Sequence, residues 1–222
     1  ANTSCLLGER VLRMAVSLFV GIYVVRYLGP ERFGLLSYTL SFVLLFSSLA
    51  SFGLDDILVR ELVKQPKQRN DLLGTVFWLK ICGTLVMGTA IALVLQFKLE
   101  DQQTYWMIAL ITFGLLFQAT NVVDFYFQSQ VQSKFAVRAQ AIQLILTSLF
   151  KIYLIWNQAA LIWFAFALML DQVIVAVLFL LVYHWEIEWF PFFFFTWIQA
   201  KKLMKGSWPL IFAGMVVTVH MK

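Results

Sequence analysis

Residues 161–183 read LIWFAFALMLDQVIVAVLFLLVY, an apolar run interrupted only by Asp171 and Gln172 near its middle. A helix needs ~20 mostly apolar residues to cross a bilayer, and this stretch has that length. At a rise of ~1.5 Å per residue, Asp171 would lie about 15 Å from either end of the helix, near the bilayer centre. The short aspartate side chain cannot reach the headgroups, so it must be protonated, paired or wetted. The stretch therefore predicts a spanning helix that faces something polar.

Five more stretches have the length and apolar character of membrane spans. The chain has 222 residues, of which 61% are hydrophobic and only 13% charged, so an ordinary soluble domain is excluded. We predict an all-α polytopic transmembrane bundle of six spans, with residues 1–205 forming an N-terminal lobe. A seventh apolar stretch begins near Trp208, and we expect 206–222 to be the start of a second lobe, cut through a helix at Lys222. Besides Leu161–Tyr183, the predicted spans are Leu6–Leu28, Phe33–Phe52, Leu72–Phe97, Tyr105–Val131 and Val137–Trp156.

The charges between the spans predict the topology. Cytoplasmic loops carry an excess of Lys and Arg, and a cytoplasmic N-terminus puts nine basic residues inside against three outside. The net charge of +5 is therefore read as an orientation signal and not as a nucleic-acid signal. The nine are Arg10, Arg60, Lys64, Lys67, Arg69, Lys134, Lys201, Lys202 and Lys205, and the three are Arg26, Arg32 and Lys98.

Two segments between spans are predicted to lie at the membrane surface. Segment 53–70 has Ile57, Leu58 and Leu62 at helical spacing, which predicts a short amphipathic surface helix. Segment 185–205 has a dense aromatic run that ends in Lys201, Lys202 and Lys205, a composition typical of the headgroup region. Membrane lipids are therefore expected partners of the chain.

Polar residues recur three or four positions apart on several spans and so share helix faces. Small and hydroxylated residues in these stripes also have a packing explanation, and Lys151 could reach the headgroups by snorkelling. The basic members outnumber the acidic ones, which predicts a cavity for an anionic solute. The candidate cavity residues are Arg13, Lys80, Gln118, Asn121, Asp124, Gln143, Lys151, Asp171 and Lys222.

The sequence contains no motif for catalysis or nucleotide binding. It has no Gly-x-x-x-x-Gly-Lys-Ser/Thr loop and no Gly-x-Ser-x-Gly elbow. His184 and His220 lie far apart, and Cys5 and Cys82 have no metal-ligand spacing. We expect no enzyme activity, no cofactor and no metal.

Several motifs together resemble the bacterial polysaccharide flippases of the Wzx (O-antigen) type, within the multidrug/oligosaccharidyl-lipid/polysaccharide exporter superfamily. They are RYLGPERFG at 26–34, SYTLSF at 37–42, FGLD at 52–55, REL at 60–62, DFYFQSQ at 124–130, KF at 134–135 and LMKGSWPL at 203–210. The resemblance implies two helical lobes that face each other across a cavity and alternate in access. It also implies an undecaprenyl-diphosphate-linked oligosaccharide as substrate, moved across the bacterial cytoplasmic membrane.

The resemblance gives the candidate residues roles. Arg13, Lys80 and Lys151 would hold the diphosphate or acidic sugars, and Asp124 and Asp171 would pair with them or serve proton or sodium coupling. It also suggests association with polysaccharide polymerase machinery. Three alternatives stay open: a multidrug or ion antiporter of the same superfamily, a membrane polysaccharide polymerase or glycosyltransferase, and a structural subunit. The antiporter would need an acid-dominated cavity, and the enzymes usually need a large outer loop or catalytic domain.

Overall fold

The structure, a computed structural model, describes residues 2–51, 53–98, 101–187, 191 and 194–205, with side chains except at 2–12, 48–51, 56 and 97–98. The regular structure in this part of the chain is helical, and it contains no strand. Short 3-10 turns lie at Pro66–Gln68 and Phe117–Asn121, and residues 197–205 are also helical. The α-helices are α1 (Asn2–Ser51), α2 (Leu54–Lys64), α3 (Arg69–Lys98), α4 (Gln102–Leu116), α5 (Val122–Ser129), α6 (Lys134–Trp156) and α7 (Leu161–Glu186).

Five helical stretches among the described residues are long and apolar enough to cross a membrane. This confirms the prediction of an all-helical chain that spans a membrane several times. The stretches are Arg13–Ser47, Pro66–Gln96, Gln102–Ser129, Lys134–Trp156 and Leu161–Glu186. The predicted span that begins near Trp208 lies outside the described residues.

Helix α1 is broken in its middle at Gly29, which has φ 71° and ψ 172°. Only glycine reaches this backbone region readily, and Pro30 follows with its fixed φ and no N–H. A straight helix of 50 residues would measure ~75 Å, more than twice the ~30 Å hydrocarbon core. The break therefore divides α1 into two halves, each of a length that suits a bilayer.

Both halves of α1 meet the α6–α7 connection close to this break. The Tyr27 hydroxyl donates to the Ala159 carbonyl at 3.0 Å, and Glu31 and Arg32 share a cavity with Ala160. Gln103, near the start of α4, lines the same cavity. We call this region the Gly29 end of the bundle.

The opposite end of the bundle is built around α2 and is called the α2 end. The apolar face of α2 consists of Leu54, Ile57, Leu58 and Leu62, all buried. It joins a core with residues of α3, α5, α6, α7 and 197–205, so protein covers the face that the sequence predicted to lie on a membrane surface. The partners include Leu72, Leu73, Val76, Val122, Val123, Phe127, Ala200 and Leu203.

Segment 194–205 is docked on this end of the bundle. A methyl group at Gly74 would overlap the Phe194 carbonyl and lie 2.6 Å from the Pro191 oxygen, so the segment runs directly over the α3 backbone. The Trp197 and Ile198 side chains remain exposed. Hydrogen bonds join Thr196 N to Thr75 Oγ1 at 3.0 Å, Gln199 Nε2 to Gln68 Oε1 at 2.5 Å, and Lys202 Nζ to Glu61 Oε2 at 2.8 Å.

The predicted span over Tyr105–Val131 corresponds to the stretch Gln102–Ser129, but its helix is interrupted. The structure has α4, then a 3-10 stretch at Phe117–Asn121, then α5 ending at Ser129. The Thr120 hydroxyl donates back to the Phe117 carbonyl at 2.7 Å, a local bond of the kind that competes with the helical ladder. Val131 lies beyond the helix at φ 57°, where Gln132 N donates to the Phe127 carbonyl at 2.8 Å and closes the C-terminus.

Candidate functional site

A guanidinium, an amide and a carboxylate from three helices form a chain of hydrogen bonds. Arg13 of α1 donates to Gln140 Oε1 of α6 at 2.8 Å. The Gln140 Nε2 donates in turn to Asp124 Oδ2 of α5 at 3.4 Å. An amide has one accepting oxygen and one donating nitrogen, so Gln140 suits a position between a cation and an anion. The Arg13 Nε is buried and has no hydrogen-bond partner among the described residues.

A second polar pair joins α6 to α7 one turn further along. The Gln143 Nε2 donates to Asp171 Oδ1, so the midspan carboxylate is paired with an amide and not with a lysine or arginine. The Thr147 hydroxyl donates a hydrogen bond to the Gln143 carbonyl at 3.0 Å, and Thr147 lies on the same side of α6 as Gln143. Asp171 is thus paired inside the bundle, as its depth in the membrane requires, because its carboxyl group accepts a hydrogen bond from Gln143.

Lys151 lines a cavity of about 230 Å³ between α1, α6 and α7. Ser17 and Gly21 of α1 form one wall, and Phe164 and Leu168 of α7 form another. A methyl group at Gly21 would meet no atom within 4 Å, so the missing side chain leaves this wall open. No hydrogen bond or ion pair joins the Lys151 ammonium to another described side chain.

These groups follow one line along α6, since Gln140, Gln143, Thr147 and Lys151 are three or four residues apart. The opposite face of α6 carries exposed apolar residues such as Ile142, Ile145 and Leu149. We call the line and its contacts the polar seam. It comprises Arg13, Ser17, Gly21, Asp124, Gln140, Gln143, Thr147, Lys151 and Asp171. From Gln140 to Lys151 it extends ~16 Å, about half of a bilayer core.

Lys80 of α3, a predicted cavity cation, is placed in a different setting. Its buried ammonium lies 2.5 Å from Asp55 Oδ1 of α2 and 4.9 Å from the centre of the Phe125 ring. The charge is therefore neutralised at the α2 end of the bundle. The structure does not bring Lys80 onto the polar seam.

The remaining predicted site residues are less informative. Gln118 and Asn121 lie in the 3-10 stretch, each half-buried, and their side chains have no recorded bond within the described part of the chain. Lys222 lies outside the described residues.

The expected surplus of cations does not hold for the described part of the polar seam. Because Lys80 is paired elsewhere, the polar seam has two basic residues, Arg13 and Lys151, and two acidic ones, Asp124 and Asp171. The two carboxylates are hydrogen-bonded by glutamine amides, whereas the Lys151 ammonium faces the cavity. No group of three His, Cys, Asp or Glu suited to a metal occurs among the described side chains.

Comparison with known proteins identifies the family. A family model described as polysaccharide biosynthesis protein matches residues 1–221. The chain belongs to this polysaccharide biosynthesis family. No curated protein and no solved structure matches it. The family consists typically of transporter-type membrane proteins, in agreement with the apolar helices of spanning length.

Two residues that contact predicted site residues in this family member were absent from the candidate set, Gln140 on the polar seam and Asp55 at the α2 end. Gln140 lies three residues before Gln143 on the same polar face, and that spacing was a usable signal. Asp55 comes 25 positions before its partner Lys80 and lies on another helix, so no local pattern pointed to it. Membership of the polysaccharide biosynthesis family supports a polysaccharide-linked transporter role for the protein.

Proposed function

We propose that this protein translocates an undecaprenyl-diphosphate-linked oligosaccharide, such as an O-antigen, capsule or exopolysaccharide unit, across the bacterial cytoplasmic membrane. Membership of the polysaccharide biosynthesis family supports a role linked to polysaccharides. The sequence motifs at 26–34 and 124–130 narrow the proposal to the flippase type. Translocation would proceed by alternating access between this lobe and a second lobe.

The observation that carries the proposal is the placement of two cations on one seam. Lys151 lines a cavity without a counter-ion among the described residues, and Arg13 lies on the same seam, held by Gln140. A diphosphate offers several strong acceptor oxygens, which guanidinium and ammonium groups bind through charge-assisted hydrogen bonds. A cavity dominated by carboxylates, as a cation exporter needs, is not what the seam provides.

The proposed topology has six crossings before residue 206, with α1 counted as two spans because it breaks at Gly29. The α2 end would face the cytoplasm. Its basic residues support this orientation, because Arg60, Lys64, Lys202 and Lys205 all lie there. The Gly29 end would then face the outside of the cytoplasmic membrane.

Asp124 and Asp171 would act in coupling. Each is hydrogen-bonded to a glutamine of α6, so gain or loss of a proton or sodium ion at either carboxylate would change a contact between helices. A change of this kind biases one arrangement of packed helices over another. The driving gradient would then act directly on the seam that binds the diphosphate.

The proposal is tested with full-length protein in vesicles that contain a fluorescent undecaprenyl-diphosphate disaccharide. The rate at which the lipid leaves one leaflet is measured by adding a membrane-impermeant quencher. We expect Arg13→Ala and Lys151→Ala each to lower the rate about tenfold or more, since each removes a charge-assisted contact worth roughly 1.5–3 kcal/mol.

Arg138→Ala is the matched control, because Arg138 is an exposed cation on another face of α6. We expect this variant to keep the wild-type rate. Full translocation by an Arg13→Ala, Lys151→Ala double variant would refute the proposal. Efflux of a cationic dye by the wild-type protein, with no movement of the lipid, would favour the antiporter instead.

A further inference from the structure

A second and larger cavity, of about 710 Å³, opens at the Gly29 end of the bundle. Three chain turns meet there, and each contributes lining residues. Glu31, Arg32 and Tyr38 come from the second half of α1, Gln103 from α4, and Leu161 from α7. The volume lies within the ~300–1,000 Å³ of typical small-molecule sites.

The lining combines opposite charges with neutral polar groups. Glu31 and Arg32 cancel in charge, and the Gln103 amide and Tyr38 phenol add donors and acceptors. No side-chain hydrogen bond of Glu31, Arg32 or Gln103 is recorded within the described part of the chain. The Tyr38 ring is 55% exposed and stacks on Phe42, with 6.3 Å between ring centroids.

An anionic ligand fits this cavity poorly. The first free amides of α4 are already taken, because Asp101 accepts from Gln103 N at 3.1 Å and from Thr104 N at 3.3 Å. A further bond from the Thr104 hydroxyl, together with these amides, lowers the pKa of Asp101 and keeps the carboxylate charged. The charged Asp101 thus lies two residues before Gln103 in the chain, and within the lining Glu31 offsets the charge of Arg32.

We propose that this cavity binds neutral, hydroxyl-rich saccharide units. Hydroxyl groups both donate and accept, so a lining of one acid, one base and one amide can satisfy them without a net charge. The exposed Tyr38 ring offers an apolar surface for the C–H face of a sugar. The inference rests on the proposed function, since the saccharide would be the glycan part of the lipid-linked substrate.

The helix face that forms the cavity wall provides a way to close it. Gly34 and Leu35 each lie three or four residues from both Glu31 and Tyr38, so the four residues share a helix face, and all line the cavity. A methyl group at Gly34 would meet no atom within 4 Å, so a larger side chain there would extend into open space.

The test uses full-length protein in lipid nanodiscs and three soluble probes: maltotetraose, cellotetraose and chitotetraose. Binding is titrated by saturation-transfer NMR. We expect at least one probe to bind, and Tyr38→Ala to weaken its binding about fivefold to tenfold, as loss of one ring contact predicts. Gly34→Leu should abolish binding, whereas Arg138→Ala and excess sodium pyrophosphate should leave it unchanged.

Three results would overturn the inference: no binding of any probe, full binding by Gly34→Leu, or displacement by pyrophosphate. The vesicle assay keeps this outcome separate from that of the proposed function. One outcome is saccharide binding that persists in Arg13→Ala and Lys151→Ala while the wild type translocates no lipid. This outcome would support the saccharide-binding cavity and refute the proposed flippase function. Lipid translocation that is unaffected by Gly34→Leu, without saccharide binding, would support the proposed flippase function and refute the saccharide-binding cavity.

Discussion

Lys80 Nζ lies 2.5 Å from Asp55 Oδ1, so a cation of α3 is neutralised by an acid of α2. The Lys80 side chain is only 7% exposed, whereas that of Asp55 is 41% exposed. The pair therefore joins a buried charge to a partner that still contacts the surroundings. Because it links α2 to α3, it stabilises the α2 end of the bundle and supplies nothing to the polar seam.

Replacing Asp55 by asparagine should destabilise the protein. The buried Lys80 ammonium would lose its counter-charge, and an unsatisfied buried polar group costs about 1–3 kcal/mol. The free energy of unfolding of Asp55→Asn, measured in detergent, should fall by this order. Lys64→Met removes an exposed partner of Glu61 at 3.9 Å and should change stability by less than ~1 kcal/mol.

The double variant Lys80→Met, Asp55→Asn should recover most of the loss, because it removes the buried charge together with its partner. Wild-type stability of Asp55→Asn alone would show that the pair is not needed.

Gly74→Ala should displace segment 194–205. The added methyl group would overlap backbone carbonyl oxygens of Phe194 and Pro191, which cannot rotate away as a side chain could. Overpacking of this kind costs about 1–3 kcal/mol, and we expect a thiol at position 200 to become reactive because Ala200 is buried only while the segment is docked. The measurement is maleimide labelling of Ala200→Cys after Cys5 and Cys82 are replaced by serine.

Gly88→Ala is the control on the same helix. Its methyl group would lie 3.6 Å from Thr112 Cγ2, an ordinary contact, so the variant should keep Ala200→Cys unreactive. The substitution should stabilise α3 by about 0.5–1 kcal/mol, because alanine loses less backbone entropy on folding than glycine does. Equal labelling in the two glycine variants would contradict the expected docking over Gly74.

The contact between Glu61 and Lys202 should weaken in acid. The hydrogen bond from Lys202, aided by the charges of Lys64 and Arg60, lowers the pKa of Glu61 from its ordinary value of 4.5. A carboxylate whose pKa is lowered by folding stabilises the folded state above its ordinary pKa, and this contribution is lost as pH falls through the lowered value.

The stability difference between the wild type and Glu61→Gln should thus be constant at neutral and mildly acidic pH and shrink below pH 4.5. Unfolding of both proteins is followed over a pH series in the same detergent. A difference that grows as the pH falls would have the wrong sign for this pair.

Gln143→Leu should loosen the contact between α6 and α7. Asp171 would lose its amide donor, and hydrogen bonds between membrane helices contribute about 0.6 kcal/mol on average and up to about 1.7 kcal/mol. The free energy of unfolding should fall within that range. Gln96→Leu makes the same chemical change at an exposed position of α3 and should leave stability unaltered.

A further variant separates the hydrogen bond from the volume change. Gln143→Leu combined with Asp171→Leu removes both polar groups and should be more stable than Gln143→Leu alone. An unchanged stability of Gln143→Leu would mean that the Asp171 carboxylate finds another partner.

The spans themselves could be predicted from the sequence because their cause is local. In a bilayer a helix satisfies its own backbone hydrogen bonds, so length and apolar character suffice to identify it. The run at Leu161–Tyr183 is a helix from Leu161 to Glu186, and the run at Val137–Trp156 is one from Lys134 to Trp156. The break in α1 also has a local cause, because the identities of Gly29 and Pro30 suffice to interrupt the helix.

The partners of the polar side chains required the tertiary structure. The sequence placed Asp171 near midspan and Lys80 inside α3, yet it could not say that an amide meets the first and Asp55 meets the second. Such contacts depend on how each helix is rotated against its neighbours, and packing fixes that rotation, not the residues of one helix. The same reason explains why the sequence wrongly assigned Lys80 to the cavity and did not identify Gln140 as part of the polar seam.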